Sequence, residues 1–252
     1  MKFDFGTAYN RFFRVLGQHA GLFFVLGLVG IVLPVMAQSY LLWHYYGISA
    51  TTQQEVLKAA NDHNGLAVFG GWFVVTVFRL LNLSMVTEAA ILGGAGKKVE
   101  AGALLGHAFA NIFPLIGIGI LVTLIVIGGM ILLIVPGIMW ALATCIAVPA
   151  YVGQPGIGIG GAISRSFELT RGSRWWLLLI FIVGMVAVVA IGAAWEGVVL
   201  AMPQYPLVDL LGSSAVNGLA DVLSNVFVAA IYVALRESRE GLAPDRAASV
   251  FQ

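Results

Sequence analysis

Long apolar runs separated by short polar segments dominate the chain. A helix that crosses roughly 30 Å of hydrocarbon at 1.5 Å per residue needs about 20 mostly apolar residues. Six segments meet this requirement, so the pattern predicts an all-α polytopic membrane protein with six transmembrane helices. The predicted spans cover residues 20–43, 66–86, 112–134, 137–152, 175–195 and 213–235.

Two of the predicted spans raise questions of their own. The first is of spanning length and follows a long, Phe-rich charged leader, so we expect a span rather than a cleaved signal peptide. The third and fourth form one apolar run, and Pro136-Gly137 is the predicted break because proline removes a helix donor. The fourth span is short, and we expect it to continue irregularly past Pro149.

Composition excludes a soluble globular domain. Of 252 residues, 60% are hydrophobic and 10% are charged, where a soluble domain carries roughly 25% charged residues. The net charge of +1 gives no basic field for nucleic acid. Cys145 is the single cysteine, which excludes a disulfide framework within one chain.

The basic residues predict the orientation, because short cytoplasmic loops are rich in Lys and Arg. With both termini in the cytoplasm, only Lys58 lies outside and Arg79 lies within a span. The residues placed inside are Lys2, Arg11, Arg14, Lys97, Lys98, Arg165, Arg171, Arg174, Arg236, Arg239 and Arg246. Residues 1–240 therefore form one membrane domain, and 241–252 are expected to be a mobile cytoplasmic tail.

Three short segments, 5–19, 99–111 and 161–174, each precede an odd-numbered span. Their apolar and polar residues predict three cytoplasmic amphipathic helices in the membrane interface, and a possible threefold helix-hairpin repeat. The alternative is that any short cytoplasmic loop has this appearance. Near an anionic surface, we expect the following side chains to contact lipid: Arg11, Arg14, Arg165, Arg171 and Arg174.

Polar residues inside two spans are the sharpest chemical signal. In the sixth span they recur every four residues, and in the second every three, so each set occupies one helix face. Lipid offers no hydrogen-bond partners, so both faces are expected to turn toward a polar interior. The residues of this interior are Thr76, Arg79, Asn82, Asn217, Asp221 and Asn225.

Three interpretations of this polar interior remain open. The residues could bond the helices together, line a pocket or path for an ion or lipid headgroup, or leave Arg79 reaching alone to the interface. Counted from the predicted cytoplasmic ends, Arg79 lies roughly 10 Å deep and Asp221 roughly 20 Å deep. Asn225 is therefore the easier partner for Arg79, and Asp221 is within reach if the helices are staggered.

No set of residues predicts catalysis. The four histidines divide between the two sides of the membrane and cannot meet at one site. The glycines of residues 153–161 follow no strand, which argues against a dinucleotide site. We expect no enzymatic activity, no metal and no cofactor.

Residues 134–176 resemble a bacterial pattern. Ile134-Val-Pro-Gly-Ile138 is followed by Pro149 and then by Ala162-Ile-Ser-Arg-Ser-Phe-Glu-Leu-Thr-Arg-Gly172. This is similar to the six-helix membrane family of the YciC-like proteins and the membrane domain of some glycerophosphodiester phosphodiesterases. Where many such sequences carry an acidic residue, this chain has Gln154. The resemblance implies a bacterial inner-membrane location and a link to lipid metabolism or envelope maintenance.

The sequence therefore favours a non-enzymatic lipid-handling or envelope-maintenance protein. A small-solute or ion transporter that uses the polar interior is the first alternative, and a membrane scaffold that recruits a partner protein is the second. The expected partners are membrane lipids, anionic on the cytoplasmic side, and not nucleic acid. A homo-oligomer or a protein partner is left open.

Overall fold

The computed structural model describes residues 5–18, 20–46, 65–94, 97–154, 156–201 and 206–240, and these residues form helices joined by short connections, with no strand among them. The predicted tail, 241–252, lies outside them. The helices are α1 Phe5–Gln18, α2 Ala20–Gly27, a π-helical turn Leu28–Val32, α3 Leu33–Tyr46, α4 Gly65–Gly94, α5 Ala101–Ala110, α6 Ile112–Leu132, α7 Ile134–Thr144, α8 Ala147–Gly153, α9 Gly158–Thr170, α10 Arg174–Ala201 and α11 Pro206–Glu240.

Six helical stretches of the described chain are long and apolar enough to cross a membrane, which confirms the predicted number. The chain thus has the architecture of a multi-pass membrane protein. The spans are Ala20–His44, Val68–Gly93, Ile112–Leu132, Ile134–Gly153, Arg174–Ala201 and Leu211–Glu240. The first is built from α2, the π-helical turn and α3, and the fourth from α7 and α8.

The breaks around the fourth span are not where we predicted them. The turn between the third and fourth spans is at Leu133, which has extended backbone, and the fourth span is interrupted at Cys145 and Ile146. Pro136 and Pro149 are each the third residue of the following helix. In a first turn the backbone N–H needs no partner within the helix, so proline is tolerated there and the break precedes it.

Gly137 has a packing function rather than a turn function. It lies inside α7, where a Cβ atom would be 2.8 Å from the backbone nitrogen of Met130. At Gly129 of α6, a Cβ atom would be 2.9 Å from the Cα of Gly137. The two glycines therefore let α6 and α7 approach as a tight hairpin.

The three short helices α1, α5 and α9 lie at the predicted positions, each ahead of two spans. The apolar residues of α1 are divided between two surroundings. Val15 is buried in the bundle, and the ring of Phe12 meets Phe227 of α11 edge-on at 5.4 Å, whereas Tyr9 and Phe13 are exposed. Each short helix is thus followed by two spans. The position of the short helices in the membrane interface and the threefold repeat stay predictions.

Helix α11 is the centre of the bundle. It supplies residues to both hydrophobic clusters, including fully buried Val226, Ala229, Ile231 and Tyr232. It lies against the first span at Gly218, where a Cβ atom would be 2.9 Å from the Cα of Val32. Helix α10, by contrast, exposes most of its large apolar side chains, as a span at the rim of the bundle does. The polar faces of α4 and α11 therefore meet inside the protein.

Candidate functional site

Arg79 of α4 and Asp221 of α11 form an ion pair, with 2.7 Å between Nη2 and Oδ2. Our prediction that Asn225 would be the easier partner is wrong. The helices extend past the ends that the apolar pattern predicts, to Gly94 and Glu240. Measured from these ends, Arg79 lies about 22 Å and Asp221 about 28 Å along its helix, a difference that an arginine side chain spans.

Asn225 instead forms a hydrogen bond with Asn82. This bond lies about one helical turn from the ion pair, on the side of the chain termini. The Nδ2 group of Asn225 donates to Oδ1 of Asn82 at 2.9 Å, and Nδ2 of Asn82 donates to the carbonyl oxygen of Leu26 at 2.9 Å. Leu26 lies two residues before the π-helical turn of the first span. Asn82 is fully buried, so this network joins three spans in an apolar surrounding.

A pocket of about 380 Å³ lies beside the ion pair, on the side away from the termini. It is enclosed by α3, α4, α10 and α11. Four of the six predicted interior residues line it, namely Thr76, Arg79, Asn217 and Asp221. The full set of polar lining residues is Gln38, Ser39, Thr76, Arg79, Ser213, Ser214, Asn217, Asp221 and Ser224.

Both side chains of the ion pair line the pocket and are partly exposed, although Oδ2 of Asp221 is itself buried. The side chain of Arg79 is 47% exposed and that of Asp221 is 31% exposed. Among the described residues, Asp221 is the one carboxylate paired with Arg79. A guanidinium carries five N–H donors in a planar fork, so one such contact leaves donors available to a guest in the pocket.

The neutral side chains of the pocket wall are held by local hydrogen bonds. Thr76 donates to the carbonyl oxygen of Trp72 at 2.8 Å, and Ser214 donates to Ser39 across the bundle at 3.1 Å. At the wall's outer edge, the indole N–H of Trp195 donates to Ser213, which donates to Asp209, each at 2.8 Å. These bonds fix the wall, so the pocket is preformed.

An apolar cleft of about 700 Å³ adjoins the polar pocket between the first span and α4. Val29, Leu33, Val74 and Phe78 are among its lining residues. The cleft and the pocket share three wall residues, Gln38, Leu42 and Val75. A polar cavity and an apolar cleft thus adjoin each other at these three residues.

The basic residues predicted to contact anionic lipid differ in their surroundings. Arg14 and Arg171 are exposed, as the prediction requires. Arg165 is paired with Glu168 at 2.6 Å and also with Glu240, and the guanidinium of Arg174 lies 5.6 Å from the ring centre of Phe167. The side chain of Arg11 lies outside the described residues.

Gln38, Ser39 and Ser213 belong to the pocket but were not predicted. Gln38 and Ser39 are adjacent polar residues within the first apolar run, and that interruption is the signal that identifies them. A buried Glu88, whose carboxylate is 2.7 Å from Nδ1 of His107, lies nearer the termini and apart from the pocket. In the described part of the chain, no three His, Cys, Asp or Glu side chains are grouped to hold a metal ion.

No family model, no curated protein and no solved structure matches this chain. The resemblance to the YciC-like family therefore stays a prediction. The geometry of the pocket is the basis for any functional conclusion.

Proposed function

We propose that this protein is a non-enzymatic lipid-handling protein of the bacterial inner membrane. The observation that carries the proposal is a polar pocket that adjoins an apolar cleft and shares three lining residues with it. A membrane lipid has the same division, with a polar headgroup joined to apolar chains. The headgroup would occupy the pocket beside Arg79 and Asp221, and an acyl chain would lie in the cleft along α4.

The occupant of the cleft follows from its position. The cleft is lined almost entirely by apolar side chains of two spans, at a depth where the surrounding solvent is hydrocarbon. An aqueous solute gains nothing from such a surface, whereas an acyl chain gains apolar contact. Because the cleft adjoins a charged pocket and shares three lining residues with it, an amphiphile fits the two cavities better than a plain hydrocarbon does.

The transporter alternative requires a polar path toward the terminal side as well. Directly beyond the ion pair in that direction, Asn82 is fully buried, and Val86, Val226 and Ala229 beyond it are also fully buried. These residues favour a pocket that is closed toward the termini. The scaffold alternative would use the short helices and needs no pocket.

We place both termini in the cytoplasm, because eleven basic residues lie on that side of the predicted topology and short cytoplasmic loops retain positive charge. With this orientation the pocket belongs to the outer half of the membrane. Helices α1, α5 and α9 would lie at the cytoplasmic interface, with exposed Tyr9, Phe13, Leu105 and Phe109 in the headgroup layer.

Native mass spectrometry of the protein released from membranes in mild detergent tests the proposal. We expect a complex with one bound lipid in the wild-type protein. Gly70→Leu fills the apolar cleft, and a Cβ atom at Gly70 meets nothing within 4 Å, so the fold should be retained. This variant should lose the bound lipid.

Gly184→Leu is the matched control, because Gly184 is also a helical glycine in open space but lies on α10, away from the cleft. It should retain the lipid as the wild type does. Equal lipid retention by the two variants would refute a lipid site in the cleft. Flux of a small solute in liposomes that depends on Arg79 and Asp221, without bound lipid, would favour the transporter instead.

A further inference from the structure

The charges of the pocket restrict the headgroup that it can accept. Among the described residues that line the pocket, Arg79 and Asp221 are the charged ones, and they carry opposite charges. These described lining residues therefore carry no net charge together, although they present both a cation and an anion to a guest. This combination is uncommon within spans, where ionisable groups are costly.

We infer that the pocket binds a zwitterionic phospholipid headgroup, with its phosphate on Arg79 and its ammonium group on Asp221. This inference rests on the proposed lipid-handling function and names the class of lipid. The two charged groups of such a headgroup are neighbours in one molecule. They can therefore engage Arg79 and Asp221 together, because these two side chains are themselves in contact at 2.7 Å.

An anionic headgroup is a poorer guest for this pocket than a zwitterionic one. A lipid with one net negative charge would bring that charge into a neutral pocket surrounded by apolar helices, and an uncompensated charge in such a medium is costly. It would also compete with Asp221 for Arg79. A zwitterion adds one charge of each sign, so each new charge has a partner and the pocket stays neutral.

The neutral residues of the wall suit the same headgroup. Thr76, Ser214 and Asn217 supply oxygen atoms that can accept hydrogen bonds from an ammonium group. Arg79 supplies N–H donors in the planar fork that matches two phosphate oxygens. Because both Arg79 and Asp221 are partly exposed to the pocket, binding a headgroup requires no opening of a packed core.

Lipid exchange into nanodiscs with equal amounts of phosphatidylethanolamine and phosphatidylglycerol of identical acyl chains tests the inference. Native mass spectrometry then measures the ratio of the two lipids in the complex. We expect phosphatidylethanolamine to be preferred by about fivefold, the ratio that one partly exposed ion pair supports. Preferred binding of phosphatidylglycerol would overturn the inference and leave the proposed lipid function standing. Saturable binding of neither lipid would refute both.

Asp221→Asn supplies the sharper test. It removes the anion and leaves Arg79 as the one charged residue among the described lining residues, so the preference should reverse toward phosphatidylglycerol. Glu168→Gln is the matched control, because it also neutralises a carboxylate paired with an arginine, but outside the pocket. It should keep the wild-type ratio. An unchanged ratio in Asp221→Asn would overturn the inference.

A double variant keeps the inference testable if Asp221→Asn alone fails to fold. Arg79→Gln combined with Asp221→Asn keeps the pocket neutral and able to form hydrogen bonds. It should fold and bind both lipids at a ratio near one, because neither charge remains. A retained preference for phosphatidylethanolamine in this variant would show that the pair does not select the headgroup.

Discussion

Asn82 and Asp221 lie on one polar interior, yet their substitutions should have opposite consequences for stability and binding. Asn82 is fully buried and bonds to Leu26 and Asn225, whereas Asp221 faces the pocket with 31% of its side chain exposed. Asn82→Ala should therefore destabilise the fold, and Asp221→Asn should change lipid binding with little effect on the fold.

The magnitudes follow from the contacts. Interhelical hydrogen bonds in a membrane protein contribute about 0.6 kcal/mol each, so the two bonds of Asn82 account for about 1.2 kcal/mol. The amide of Asn225 then loses its partner in an apolar surrounding, which brings the expected loss to about 2 kcal/mol. A partly exposed ion pair contributes about 0–1 kcal/mol, and an asparagine at 221 retains an oxygen for Arg79, so the loss there should stay under about 1 kcal/mol.

Equilibrium unfolding in bicelles measures both losses, and native mass spectrometry of the same samples measures the retained lipid. We expect Asn82→Ala to unfold more readily while its folded fraction still binds lipid. Asp221→Asn should unfold as the wild type does while its lipid selectivity changes. A larger loss of stability for Asp221→Asn than for Asn82→Ala would refute the division of the polar interior into a stabilising part and a binding part.

Three of the four remaining predictions concern single contacts, and the fourth concerns the orientation. Thr76→Val should weaken lipid retention in native mass spectrometry, and Thr123→Val should not. Both hydroxyl groups bond to a carbonyl of their own helix, but of the two only Thr76 lines the pocket. The free energy of unfolding should change by under about 0.5 kcal/mol in each variant. Gly137→Ala should lower the free energy of unfolding by about 1–3 kcal/mol, because its Cβ would collide with Met130. A Cβ atom at Gly128 meets nothing within 4 Å, so Gly128→Ala should leave the free energy of unfolding unchanged or raise it by up to about 1 kcal/mol. If thermal unfolding showed Gly128→Ala to be less stable than Gly137→Ala, the tight hairpin would be contradicted. Ser166→Ala should cost about 1 kcal/mol in the same measurement, because the buried hydroxyl donates to the carbonyl oxygen of Ala143 at 2.7 Å beside the break in the fourth span; an unchanged midpoint would show that this bond contributes nothing. Tags at the two ends of the chain should react with a membrane-impermeant reagent only after spheroplasts are opened, and labelling of either tag in intact spheroplasts would contradict the proposed orientation.

The apolar pattern predicts the number of spans well because hydrocarbon requires a minimum length of apolar helix whatever the neighbours are. It predicts the ends of the spans less well. Helix α4 continues past Val86 through Glu88 to Gly94, and the carboxylate of Glu88 is buried against His107 of α5. A charged residue in the sequence indicates the end of an apolar run, but it ends the helix only where no partner is supplied by another element.

The same limit explains which parts of the pocket were predicted. A helical period identifies the shared face of Thr76 and Arg79, because that relation is local to one helix. The pairing of Arg79 with Asp221 depends on the relative stagger of α4 and α11, which is set by packing such as that of Gly218 on Val32. Ser39 and Ser214 meet across 175 positions of sequence, so no local pattern relates them.

The two ends of the polar interior differ in how far protein atoms supply their hydrogen-bond partners. Asn82 and Asn225 bond to each other and to a backbone carbonyl, so the interpretation as interhelical contacts accounts for them in full. It does not account for Arg79, whose guanidinium has one ionic partner among the described residues while 47% of its side chain borders open space. A charged group at the edge of a cavity requires polar atoms around it, from the wall, from water or from a ligand. The pocket at Arg79 therefore has room for water or a ligand, and under the proposed function the adjoining apolar cleft is the reason to expect a lipid there.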